Sequence, residues 1–133
     1  LKKIDETTNV ITWFEIPVSD IDRAKAFYET IFDIEMITRK DGDDEGVFFP
    51  FNPTVVQATS GRVTGVLSKS ARNSPSTNGT MVYFNASPSI QIVLDKVEKA
   101  GGKILASQTP IPAGLIAVII DTEGNKVGLH AER

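Results

Sequence analysis

The strongest constraint on how this chain folds is a phrase that occurs twice. Val10 to Val18 is rich in β-branched and aromatic residues, which favour a pleated strand. Ser19 or Asp20 then stands ready to accept a hydrogen bond from the free amides of a first helical turn. Ile21, Ala24, Phe27, Tyr28 and Ile31 recur at intervals of three and four, which lays an apolar stripe along one side of a helix. The order returns in the second half. Thr80 to Asn85 reads as a strand, Ser87 as a cap and Pro88 as the first helical residue. Ile90, Val93, Leu94, Val97 and Ala100 form the second stripe, Asp95 and Lys99 pair at i,i+4, and Gly101-Gly102 ends the helix.

Three further strands follow each helix. In the first half they are Ile34–Thr38, Val47–Phe49 and Val63–Leu67, with the acidic run Lys40–Gly46 as a hairpin turn. That run lacks the ligand spacing and closing glutamate of a calcium loop, so a solvated turn is the better reading. In the second half they are Lys103–Ala106, Leu115–Asp121 and Lys126–His130. A loop spans Gln108–Gly114, and a tight turn spans Thr122–Asn125. The polar stretch Ser68–Gly79 separates the halves, giving modules of about 9–67 and 80–131 joined by linker 68–79. The expected class is α+β: two βαβββ modules with curved mixed sheets around a cavity, within one domain over 1–133. A ferredoxin-like fold would have only two strands between its helices. A Rossmann fold would need a glycine-rich turn where Pro17-Val-Ser-Asp20 stands.

Bulk chemistry removes several function classes. A formal charge of −3 and a pI near 5.1 disfavour nucleic acid as a partner. The absence of cysteine removes disulfides, thiol nucleophiles and thiolate metal sites. The longest purely apolar run, Leu115–Ile120, is too short for a membrane helix. No secretory signal pattern is visible, although the chain starts at Leu1, so a cytoplasmic protein is the default expectation.

With the elements placed, the chain resembles the vicinal oxygen chelate superfamily, which holds glyoxalase I, bleomycin-resistance proteins and extradiol dioxygenases. Three segments carry the likeness: Trp13–Asp20 with Arg23–Tyr28, Val97–Lys103, and Asp121–His130. The phrase around Trp13-Phe14-Glu15 is similar to a broad glyoxalase-related group. The resemblance implies paired βαβββ modules, a homodimer, and an inward-facing set of His or Glu ligands on strand ends. There a divalent ion would polarise two substrate oxygens. The matching positions hold other residues: Trp13 on the first strand, Thr80 or Met81 on the fifth, Gly128 on the last, and no His, Asp or Glu within Val63–Leu67. No metal site and no cofactor are therefore expected.

Alternation puts Trp13, Glu15 and Pro17 on one face of the first strand and Phe14, Ile16 and Val18 on the other, which should pack on the helix. By the same count Met81, Tyr83, Asn85, Lys126, Gly128 and His130 face the cavity. Trp13 and Tyr83 would stack on a flat ligand or else fill a closed core. Glu15 needs water or a cation such as Lys126 or Arg62. His130, the sole histidine, is the one group whose ordinary range suits neutral-pH proton transfer. Tyr28 reads as core. The expected ligand-binding set is Trp13, Glu15, Met81, Tyr83, Asn85 and His130, with Glu15 and His130 as the candidate catalytic pair. The leading expectation is a metal-independent binder of a flat, partly apolar small molecule. The alternatives are an enzyme of lyase, isomerase or dioxygenase type with an unusual site, and a structural or regulatory partner module.

Overall fold

A strand of five residues opens the architecture: β1, Trp13–Pro17, leads into α1, Ile21–Phe32. These are found in a computed structural model that describes residues 3–133. Asp20 caps α1, its Oδ1 accepting from the Arg23 amide at 3.0 Å. Ile21, Ala24, Phe27, Tyr28 and Ile31 are all buried, as the stripe predicts. Asp33 ends the helix in the left-handed region at φ 53°, a conformation open to a short polar side chain.

Strands β2 (Ile37–Asp41), β3 (Asp44–Phe48) and β4 (Thr64–Lys69) complete the first half, followed by β5 (Tyr83–Asn85) and α2 (Ile90–Val97). The chain closes with β6 (Lys103–Ile111), β7 (Gly114–Ile120) and β8 (Lys126–Ala131). Two four-stranded mixed sheets result, in the orders β1-β4-β3-β2 and β5-β8-β7-β6. In each, the first and last strands of the half run parallel, Trp13 beside Thr64 and Tyr83 beside Gly128, and the other pairs are antiparallel. The α+β class and the doubled strand–helix–three-strand order are thus as the sequence indicates. No helix among the described residues is long and apolar enough to cross a membrane.

Several boundaries move, each for a tertiary reason. The acidic run is mostly strand: Arg39 to Asp41 pair with Asp44 to Gly46, leaving only Gly42 and Asp43 as the turn, with Gly42 at φ +63°. β6 extends through Gln108–Ile111, because Thr109, Pro110 and Ile111 pair with Ile116, Leu115 and Gly114. Pro110 is tolerated there because β6 is a sheet edge and needs no inward donor. α2 starts at Ile90 behind Ser89, not at Pro88 behind Ser87, and the Ile90 amide is satisfied by the Arg133 carbonyl at 2.9 Å. It also ends at Val97, so Lys99 is outside it and Asp95 instead accepts from Gln91 Nε2 at 2.7 Å.

One core spans both halves. Phe14 of β1 and Phe84 of β5 meet edge-on with ring centroids 5.7 Å apart, and Tyr28, Phe32 and Phe49 pack within 5.2–5.5 Å of Phe84. A second tie is polar and lies at the β7–β8 turn. Tyr28 Oη donates to Asp121 Oδ2 at 2.7 Å, and burial together with the Asp121 charge holds that hydroxyl protonated, well above its ordinary range. Asp121 also accepts from the amides of Glu123 and Asn125 and from Asn125 Nδ2, which donates in turn to the Pro17 carbonyl at 2.7 Å.

Glu123 reaches from that turn to the start of α1. Its carboxylate accepts from the Ser19 and Asp20 amides, from Arg23 Nε at 2.7 Å and Nη2 at 3.0 Å, and from Thr122 Oγ1. An anion at a helix N-terminus is favoured there by the free amides and the helix dipole. Burial alone would raise the Glu123 carboxyl, but these donors outweigh it and hold the group down at about 2 from an ordinary 4.5. A carboxyl depressed by folding contributes stability above its unfolded value and loses it as pH falls toward the folded value. Arg23 remains about half exposed, so water screens the pair and reduces its contribution. We expect stability measured by urea unfolding to fall between pH 4.5 and pH 2, with a smaller drop across that window in Glu123→Gln.

Candidate functional site

β1 and β5 are the inner edges of their sheets, and between them opens a cleft of about 1140 Å³. Its size suits a small organic ligand. The shared aromatic core forms its floor, with Phe14, Phe49 and Phe84 reaching it from below. Trp13, Glu15 and Pro17 stand on one wall, Met81, Tyr83 and Asn85 on the other. Period-two alternation accounts for both walls: Ile16 and Phe84 turn into the core while their neighbours turn outward. The polar linker closes one end through Ser74, Ser76 and Asn78. It is held there by the Ser76 amide, which donates to Asn125 Oδ1 at 3.2 Å.

Trp13 and Tyr83 keep 41% and 49% of their surface exposed, so they wall an open cleft and do not fill a closed core. The Trp13 ring leans on Phe48 at 5.7 Å, and Phe48 carries Arg39 over its face at 5.6 Å. Tyr83 lies flat across Gly128, where an added Cβ would come within 2.4 Å of its ring. Gly128 therefore leaves room for a wall residue on the neighbouring strand. We expect Gly128→Ala to displace Tyr83 at a cost of about 1 kcal/mol, visible as a changed Tyr83 ring environment by NMR.

Glu15 is exposed on the cleft wall. Neither Lys126 nor Arg62 forms an ion pair with it among the described residues, where Arg23 pairs with Glu123 and Arg72 with Asp44. Lys126 lines the same cleft; Arg62 does not. Asn85 Oδ1 is engaged by the Ser87 amide at 2.9 Å, leaving its Nδ2 to donate. His130 sits apart. It lines a separate depression of about 410 Å³ with Ile111 and Ile116, sharing only the Tyr83–Asn85 strand with the main cleft. Its Nε2 lies 2.8 Å from the Ala113 carbonyl, which can only accept, so Nε2 is the donor. The structure therefore brings Trp13, Glu15, Met81, Tyr83 and Asn85 to one cleft and leaves His130 outside it. Asn125, which lines the cleft, and its partner Asp121 are not marked by the sequence pattern, where Asp121 reads as the end of a strand and Asn125 as part of a tight turn. A cluster of Asp, Glu and Asn in so short a turn is the signal that could have flagged them.

The sequence matches the family model of the Glyoxalase/Bleomycin resistance protein/Dioxygenase superfamily over residues 10–129. The chain belongs to this superfamily. Solved structures agree at the level of fold. A glyoxalase/bleomycin resistance protein from Albidiferax ferrireducens is 17% identical, with a TM-score of 0.67 over 91% of this chain and 97% of that one. Glyoxalase I from Zea mays is 18% identical with a TM-score of 0.67 over 91% of this chain, which spans only 45% of the maize protein. The fosfomycin resistance protein FosX from Listeria monocytogenes is 17% identical, with a TM-score of 0.64 over 91% of this chain and 90% of its own. No curated protein matches the chain in sequence.

FosX was solved in complex with Mn(II) and 1S,2S-dihydroxypropylphosphonic acid, and it corrects one expectation. The residues at four strand positions led to the expectation of no cofactor, yet a superfamily fold of this kind does accommodate a divalent ion. Side chains at a few strand positions test one way of holding a metal, not the scaffold's capacity for it. Among the described residues no three His, Cys, Asp or Glu side chains gather to hold one. At the matching positions, Trp13 offers an indole and Gly128 sits under the Tyr83 ring.

Proposed function

We propose that this superfamily member binds a flat, partly apolar small molecule in the cleft between β1 and β5, with Trp13 and Tyr83 as stacking walls and Glu15 and Asn85 as polar anchors. The observation that carries the reading is the exposure of two large aromatic rings that line one cavity. Such rings contribute much apolar area on contact with a ligand and orient it through their geometry. Asn85 supplies a free amide donor and Glu15 an acceptor, which together fix the ligand's polar edge. Trp13 is the sole tryptophan, so its emission reports on the site directly. We expect flat aromatic compounds such as 2-naphthol to shift or quench that emission saturably, and a broad compound screen that never perturbs it would refute the reading.

The proposal includes a homodimer. Ile37, Phe51 and Val63 are exposed in the first half, and Leu105 is exposed on the edge strand β6 of the second sheet. Exposed apolar side chains favour cover by another surface. Sedimentation velocity at micromolar concentration tests this, with a monomer at all concentrations as the contrary result.

A further inference from the structure

Resting on that reading, we infer that the cleft selects an α-amino acid with a flat, apolar side chain, its ammonium group against Glu15 and its carboxylate against Lys126. Two opposite charges line the same cavity, and neither is neutralised by another side chain among the described residues, nor by the other. Their placement is set by the fold. Asn125 Nδ2 donates to the Pro17 carbonyl at 2.7 Å, which ties the end of β1 to the start of β8. Glu15 lies two residues back from Pro17 on the cavity face of β1, and Lys126 directly follows Asn125. Both charges therefore stand at one end of the cleft, beyond ion-pair distance of each other. A head group carrying an ammonium and a carboxylate on one carbon bridges such a gap and gives each wall charge a charge-assisted hydrogen bond. Trp13 is two residues further along the same face of β1, one strand repeat away, where a planar side chain leaving that carbon meets an aromatic wall. A simple cation would leave Lys126 unanswered, and a simple anion would leave Glu15 so.

Isothermal titration of the full chain at neutral pH with four probes tests the inference: L-phenylalanine, phenethylamine, 3-phenylpropionate and uncharged 2-naphthol. L-Phenylalanine should bind about tenfold or more tighter than either singly charged analogue. Glu15→Gln should weaken L-phenylalanine to the level of 3-phenylpropionate while leaving that acid unchanged, and Lys126→Met should do the same relative to phenethylamine. If 2-naphthol binds but L-phenylalanine gains nothing over the single-charge probes, the amino-acid inference falls and the small-molecule reading stands. The inference also falls if each variant weakens all probes alike. If no probe binds, 2-naphthol included, both readings fall together.

Discussion

Asp121→Ala should unfold at a markedly lower urea midpoint, with a loss of about 4 kcal/mol and an unchanged m-value. The carboxylate accepts four hydrogen bonds in a nearly water-free setting: from Tyr28 Oη, from the amides of Glu123 and Asn125, and from Asn125 Nδ2. Truncation leaves a buried phenol and a buried amide without an acceptor, which costs more than the bonds contribute net when made. Asp121 is only 3% exposed and Tyr28 fully buried, so water cannot substitute. Asp121→Asn keeps the shape and part of the acceptor capacity, and its loss should be about half as large. Tyr28→Phe removes one bond and one donor while keeping the ring, so about 1–2 kcal/mol is expected. A result in which all three variants cost alike would mean that packing, not this hydrogen-bond set, joins the two halves.

Trp13→Ala should weaken binding of a flat ligand by about 10- to 100-fold while leaving stability within about 1 kcal/mol of the parent. The ring rests on Phe48 at 5.7 Å but remains 41% exposed, so its removal opens no buried cavity. Tyr83→Ala should have a similar effect on binding. The two losses should not add, since one ligand that touches both rings couples them. Calorimetric titration of the two single variants and the double variant measures that coupling. Strict additivity would place the ligand against one wall only.

Much of the fold was legible because it is local. Apolar residues at three- and four-residue spacing gave α1 and its buried face, and Asp20 gave its cap. The repeat of that phrase gave the paired halves. What moved was set by partners distant in sequence. Gln108–Ile111 reads as loop because of Pro110 and Pro112, yet pairing with β7 makes it strand. Ser87 reads as a cap, yet the Arg133 carbonyl, far along the chain, satisfies the first amide of α2. The polar tie was invisible for the same reason: Tyr28 and Asp121 are 93 positions apart, and Arg23 and Glu123 are 100 apart.

The site followed the same division. Strand alternation puts Trp13, Glu15, Tyr83 and Asn85 on the faces that line the cleft, since period two is a backbone property. Which faces then share a cavity depends on how the sheets sit together. His130 has the alternation of a cavity residue but opens onto a separate depression beside the β6–β7 turn. The cofactor expectation failed differently, since it inferred from a few side chains what a superfamily fold can hold, and the Mn(II) in FosX shows that step to be too short.

The central claim is that the β1–β5 cleft is where this chain binds small molecules. Amide chemical-shift mapping during a titration with 2-naphthol tests it most directly. The account predicts saturable shifts concentrated on Trp13, Glu15, Tyr83, Asn85 and Lys126, with α1 and β2 still. Shifts confined to another surface, or none at any concentration up to solubility, would contradict it.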